Sequence, residues 1–271
     1  MEPLVPSAQA TSGGTSRPTC GPILFSIVTA VWNRASTLPQ AIDSLDTQTH
    51  GRWEHVVQDG GSTDGTLEGL ANRPDPRRSV VSERDSGIYD ALNRGMARCT
   101  GDVIGLLHSD DFLAHPQVLE RVARMFASTG ADAVYGDLDY VAADDPSRVI
   151  RHWRSGGYAR DKLRRGWMPP HPALFLKRAV IDRHGGYDTS FRIAADYDAI
   201  LRYFFKGGIS AAYLPEVLVK MRVGGESNRS LERIVTKSRE DLRALRGNGV
   251  GGIGALAWKN LSKISQFVIK D

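Results

Sequence analysis

Cysteine is nearly absent from this 271-residue chain, which carries only Cys20 and Cys99. Two thiols cannot build an all-cysteine zinc site or hold an iron–sulfur cluster, and they exclude a small domain stapled by disulfides. One lies in a polar tail and the other in a predicted helix, which suits a reducing compartment. Long apolar runs are missing too: none approaches the ~20 residues that a membrane span requires. No basic start leads into an apolar run, so no secretory signal is expected. A surplus of one charge is also lacking. Thirty-five Lys and Arg against 31 Asp and Glu leave +4, too evenly mixed to point to nucleic acid. With 41% apolar and 24% charged residues, the chain has an ordinary globular composition, not that of a disordered or collagen-like polymer.

Several catalytic signatures are likewise missing. There is no G-x-x-x-x-G-K-[ST], no H-E-x-x-H and no G-x-S-x-G. A G-x-G-x-x-G does occur at Gly249, Gly251 and Gly254. It follows a basic helix instead of a strand, and too little chain remains for a βαβ unit, so it is set aside as a dinucleotide site.

Residues 1–22 are rich in Pro, Ser, Thr and Gly without apolar period and are expected to form a flexible tail. From residue 23 the pattern changes. Short β-rich runs at 25–32, 53–58, 79–83 and 103–107 alternate with helical periods at 36–48, 64–72, 87–98 and 116–128. Ser36, and Ser62 or Asp64, are candidate caps. Regular alternation predicts an α/β fold, a mostly parallel sheet flanked by helices, with ligands beyond the carboxyl ends of the strands. After residue 130 the rhythm loosens: strand-like runs at 133–141, 148–154 and 211–223 surround a basic, aromatic stretch at 154–172 and a helix at 194–205. Two helical pieces, 229–246 and 253–269, end the chain. The expected division is a tail over 1–22, one domain over 23–227 and a helical extension over 228–271.

What stands out is a set of aspartates at strand ends. Asp59 closes the second strand and opens D-G-G-S-T-D-G, a turn that paired glycines permit. A capped strand-to-helix turn explains it as well as a ligand site does. The run Asp102–Asp111 (DVIGLLHSDD) delivers Asp110 and Asp111 to the end of an apolar strand. Adjacent carboxylates repel, and a divalent cation would remove that cost; hard oxygen ligands suit Mg²⁺ or Mn²⁺. A solvated acidic turn is the alternative. Two further pairs share D-x-D spacing. Asp137 and Asp139 would share one face of a strand and are the second choice for a metal; Asp196 and Asp198 open a helix, where residues two apart diverge.

Taken in order, FSIVTAVWNR, VVQDGGSTDGT, SERDSGIYDALNRG, GDVIGLLHSDD and RIAADYDAILR resemble family-2 glycosyltransferases of the GT-A fold, in particular bacterial enzymes of exopolysaccharide, lipopolysaccharide and glycolipid synthesis. The resemblance runs from about Phe25 to Ser227. It implies a metal-dependent, inverting hexosyltransferase that uses a nucleoside diphosphate sugar, with UDP favoured. By position, Thr29, Val31 and Arg34 resemble the start of the nucleotide pocket, and Asp59 the aspartate that meets the base. Arg84 and Asp85 resemble the stretch beside nucleotide and donor sugar. Asp111 is implied as the direct metal ligand, and Asp110 as a partner of the ribose or of a metal-bound water. Asp196 is implied as the catalytic base, although Ala195 stands where many relatives carry a second acid.

On the acceptor side, Trp153, Tyr158 and Trp167 are candidates to stack on sugars, Arg160, Lys162, Arg164 and Arg165 to meet a lipid phosphate, and His171 to touch substrate. Each has a plain structural alternative. The 222–227 segment resembles a loop that closes over the diphosphate. The 253–269 helix has an apolar face and lysines elsewhere, so it can rest on an anionic membrane surface or pack on protein. The expected setting is cytoplasmic, peripheral at the inner membrane face, with a saccharide or lipid-linked acceptor. A silent sugar-nucleotide-binding or scaffold protein is the first rival, and the retained Asp110, Asp111 and Asp196 speak against it. A nucleotidyltransferase is the second, but TAVWNRAST lacks its Gly-rich, basic signature.

Overall fold

The computed structural model describes residues 22–223, 231–257 and 259. Its first half is regular. β1 (Phe25–Val31), β2 (Trp53–Asp59), β3 (Arg78–Ser82) and β4 (Val103–Leu106) lie in the order β3-β2-β1-β4, all parallel. Every residue of β1 and β4 is buried, the reason these runs read as continuously apolar. α1 (Leu38–Asp46), α2 (Thr66–Ala71) and α3 (Ile88–Ala97) connect them.

The second half is mixed. β6 (Ala133–Ala142) is the hub: it pairs antiparallel with β7 (Val149–Trp153) and β8 (Leu174–Lys177), and parallel with β9 (Ala211–Val223). β8 joins antiparallel to β4, and the three-residue β5 (Asp111–Leu113) pairs antiparallel with β9. The parallel expectation therefore describes the half up to β4, and antiparallel crossings build much of the rest. α4 (Val118–Thr129), α5 (Arg160–Arg164), α6 (Arg178–His184) and α7 (Ala195–Ile200) follow in chain order. α7 continues as a π-helical turn over Leu201–Lys206, so the helix predicted over 194–205 is present but changes winding.

Of the expected caps, Ser36 is not the one used and Asp64 is. α1 begins at Leu38, after Thr37, because both of their amides bond to the Arg34 carbonyl and Pro39 occupies the first turn. Before α2, the Asp64 carboxylate takes the Thr66 amide at 3.1 Å, whereas the Ser62 hydroxyl is engaged by Asp59 and Asn33.

α8 (Leu231–Gly247) carries the C-terminal extension. Its Ala244 and Leu245, with Val250, share one core with Tyr135, Leu163, Tyr197 and Phe204. Gly249, with φ of 68°, takes the left-handed conformation at the end of this helix, which accounts for one glycine of the G-x-G-x-x-G. Residues 253–257 are helical, while most of the rest of the helix expected over 253–269 lies outside the described residues, as do residues 1–21 and 224–227. Among the described residues no helix is long and apolar enough to cross a membrane.

Candidate active site

Parallel register brings Val31 opposite Asp59, and Asp59 opposite Ser82, along one edge of the sheet. The Asp59 carboxylate is fully buried and turned into its own loop. It accepts the Gly61 and Ser62 amides at 2.9 and 3.0 Å, the Ser82 hydroxyl at 2.6 Å and the Ser62 hydroxyl. In this structure Asp59 shapes the turn. Thr29 is similarly committed: its hydroxyl donates to the Leu107 carbonyl at 2.7 Å and receives the His55 Nε2–H at 2.9 Å. Burial first, then Arg78, hold that imidazole neutral, with a pKa of about 3. Val31 is buried and contributes backbone, its carbonyl accepting the Gly60 amide at 2.9 Å.

Beyond this edge lie the accessible groups. Arg34 is half-buried and Arg84 exposed. Asp85 accepts the Gly87 amide at 2.9 Å, and its other oxygen lies 2.6 Å from where a Cβ on Gly60 would stand. A side chain at 60 would displace that carboxylate. The same Cβ would come within 3.6 Å of the Trp32 Cβ, and Trp32 is 58% exposed at the strand end. The sequence pattern places Trp32 only at the end of a strand. The signal for it was available: a large aromatic immediately after the last buried position of β1.

β4 leads into His108-Ser109-Asp110-Asp111, a turn closed by the Asp111 amide on the His108 carbonyl at 3.0 Å. Asp111 is 1% exposed, and among the described residues neither carboxylate oxygen has a hydrogen-bond partner. Burial, and next the charge of Asp110, push it well above the ordinary carboxylate range, against a weaker pull from Arg222. Arg222 also donates to the Asp110 carbonyl at 2.6 Å and lies over the Phe112 ring. An uncompensated buried carboxylate beside a half-buried second one is the donor set a hard divalent cation fits. Among the described residues no group of three His, Cys, Asp or Glu gathers to complete a shell.

The alternative pair is used up. Asp137 takes the Ser155 amide at 2.8 Å and the Tyr213 hydroxyl at 2.9 Å, and Asp139 pairs with His152 at 2.6 Å.

Asp196 opens α7 with its side chain 20% exposed, 3.2 Å from His171 Nδ1. Burial alone would raise its pKa. The His171 hydrogen bond and charge, with Lys237 and the Tyr197 amide, outweigh burial and hold it at about 2. His171 Nε2 in turn lies 3.0 Å from Nε2 of His108, whose pKa burial lowers to about 3. With the His171 Nδ1–H given to Asp196, a neutral His108 can donate to a neutral His171 or accept from its imidazolium. This chain ties Asp196 to the turn that carries Asp110 and Asp111. The partner of His108 is 63 positions away, so no local sequence pattern marks this pair. Asp198 points elsewhere, bonding Asn248 at 2.8 Å and Arg202 at 3.3 Å.

Two of the candidate stacking aromatics make contacts within the protein. Trp167 donates to the Ser155 carbonyl at 2.7 Å and packs edge-on to Tyr135; Tyr158 donates to the Phe204 carbonyl at 3.2 Å. Arg160 and Arg164 lie over Phe205.

A parallel α/β half feeding its strand ends toward a carboxylate pair, joined to a mixed half bearing a second aspartate, defines a GT-A-type transferase fold. Comparison with known proteins sharpens the class. Residues 26–184 match Glycosyl transferase family 2, and the chain belongs to that family. It is 33% identical over 219 residues to a PGL/p-HBAD biosynthesis glycosyltransferase of Mycobacterium tuberculosis, covering 78% of this chain and 81% of that one. Among solved structures it resembles Staphylococcus aureus TarS 1–349 in complex with UDP-GlcNAc, with TM-score 0.65, 15% identity and coverage of 82% of this chain and 66% of that fragment. It also resembles the mannosyltransferase PcManGT of Pyrobaculum calidifontis in complex with GDP-Man and Mn²⁺, with TM-score 0.63, 17% identity and coverage of 92% and 76%.

Proposed function

We propose that this glycosyltransferase moves a sugar from a nucleoside diphosphate donor, UDP-linked by preference, to a hydroxyl of a saccharide or lipid-linked acceptor with inversion at the anomeric carbon. One observation carries the reading: the two carboxylate centres, linked through His108 and His171, have opposite electrostatic needs. Asp196 has His171 at hydrogen-bond distance and Lys237 in its field, and together they favour its ionised form over burial. Asp111 has no hydrogen-bond partner on either oxygen among the described residues, and the pull of Arg222 does not offset its burial.

An ionised carboxylate of low pKa is a weak base, so it takes the acceptor proton as the new C–O bond forms and the hydroxyl becomes strongly acidic. The bond from the anomeric carbon to the diphosphate oxygen breaks on the opposite side, and the electron pair leaves with the nucleotide. His171 keeps the receiving oxygen oriented. Asp111, with Asp110, would hold a Mg²⁺ or Mn²⁺ ion, which when bound neutralises charge on the leaving diphosphate. Trp32 offers an exposed ring beside Asp85 for the base to lie against, with Arg34 and Arg84 near enough in the fold to serve the nucleotide side.

The Mycobacterium relative named for PGL/p-HBAD biosynthesis supports a glycolipid acceptor, and the neighbours' UDP-GlcNAc and GDP-Man support a nucleotide-sugar donor. Work at the cytoplasmic face of a membrane fits such an acceptor. The test is nucleotide release from UDP-glucose, UDP-N-acetylglucosamine and GDP-mannose with Mn²⁺ present, with and without a polyprenyl-linked or aryl acceptor, followed by NMR assignment of the product's anomer. A retained anomeric configuration would refute inversion, and release that no acceptor stimulates would refute transfer.

A further inference from the structure

The turn that presents Asp196 is held by a residue from far along the chain. Residues 192–194 precede α7, which has no side-chain cap of its own because the sequence there is Ala194-Ala195. Three successive amides would be left as orphan donors in such a turn. Glu240 of α8 takes all three: Arg192 N–H at 2.8 Å through one oxygen, and Ile193 and Ala194 N–H, each at 2.9 Å, through the other. The carbonyl of Ile193 is bonded in its turn by the Tyr89 hydroxyl of α3 at 2.7 Å. The backbone just ahead of Asp196 is thus gripped on its donor and acceptor sides by two different helices.

We propose that Glu240 is a positioning residue for the transfer reaction: its carboxylate fixes the 192–194 turn and so aims Asp196 at the acceptor hydroxyl. This rests on the reading of Asp196 as base. The rest of α8 supports the same end. Lys237, one turn earlier, helps to keep Asp196 ionised. Asp241 pairs with the buried Lys259 at 2.8 Å, and that ammonium lies 3.3 Å above the Tyr197 ring. Asn248 bonds Asp198. These contacts, with Ala244 and Leu245 in the core, dock α8 without Glu240. Its three bonds therefore serve the turn, not the attachment of the helix.

The experiment compares Glu240→Gln in the wild-type and Asp196→Asn backgrounds. A glutamine keeps one carbonyl oxygen and loses the second acceptor. Amide hydrogen exchange at 192–194 is expected to accelerate while the rest of α8 stays protected. Turnover of the best of the three donors above is expected to fall on the order of 10- to 100-fold, with UDP affinity by calorimetry unchanged. In the Asp196→Asn background the same substitution is expected to cost nothing more. Amides 192–194 that remain protected, or an equal loss in both backgrounds, would overturn the positioning role. A wild-type rate for Asp196→Asn alone would instead remove the base assignment, and Glu240's role with it.

Discussion

Asp111 and Asp196 are both aspartates beside the end of a secondary-structure element, and the β4–β5 and α7 regions treat them in opposite ways. The β4–β5 turn buries Asp111 without a partner among the described residues and raises its pKa. The α7 turn gives Asp196 an imidazole, a nearby lysine and an amide, and lowers its pKa to about 2. On the proposed reading, one residue type serves two roles. In that reading a carboxylate whose burial is not offset would take a cation, and one whose burial is offset would take a proton.

The strongest way to break this contrast is Asp196→Asn. It should lower kcat by about 10²- to 10⁴-fold, the usual worth of a general base, with UDP binding intact. Next is Asp111→Asn, which should cost on the order of 100-fold or more in metal-dependent turnover.

The two centres should also part in their dependence on pH. A raised folded-state pKa means that the folded protein holds the Asp111 proton more tightly than the unfolded chain does. Metal-free thermal stability should therefore fall as pH rises above 3.8 through that raised pKa, and Asp111→Asn should remove this loss. For Asp196 the order is reversed: its contribution is present above 3.8 and is lost as pH falls toward about 2. Thermal melts of the two asparagine variants across pH check both signs.

A smaller effect sharpens the nucleotide side. Trp32→Ala should weaken UDP binding by about 1–3 kcal/mol, as loss of a base-stacking ring does, and leave the melting temperature near wild type because the ring is exposed. Gly60→Ala should have the least effect, a loss of UDP affinity of a few-fold on the order of 1 kcal/mol, since the new methyl forces Asp85 aside. Calorimetry measures both.

Much of the first half could be read from the letters because buried parallel strands declare themselves as apolar runs and their helices as periodic faces. β1, β2, α3 and α4 fall within a few residues of where the pattern put them. β5 and β8, at three and four residues, are too short to carry a period. The winding change at Leu201 has no local signature. At the site, Asp110, Asp111 and Asp196 were visible through their motifs, but their surroundings were not. His108 meets His171, and Glu240 meets the 192–194 turn, across 63 and 46 to 48 residues. Contacts of that range depend on how the mixed half folds back. Asp59 shows the converse: its motif pointed to a ligand, while the fold turns its carboxylate inward onto four protein donors.

The division between the two aspartates can be measured in one titration series, UDP binding to wild type, Asp111→Asn and Asp196→Asn with and without Mn²⁺. The expected result is tighter binding on adding Mn²⁺ to wild type and to Asp196→Asn, and no response in Asp111→Asn. A full Mn²⁺ response in Asp111→Asn, or its loss in Asp196→Asn, would contradict it.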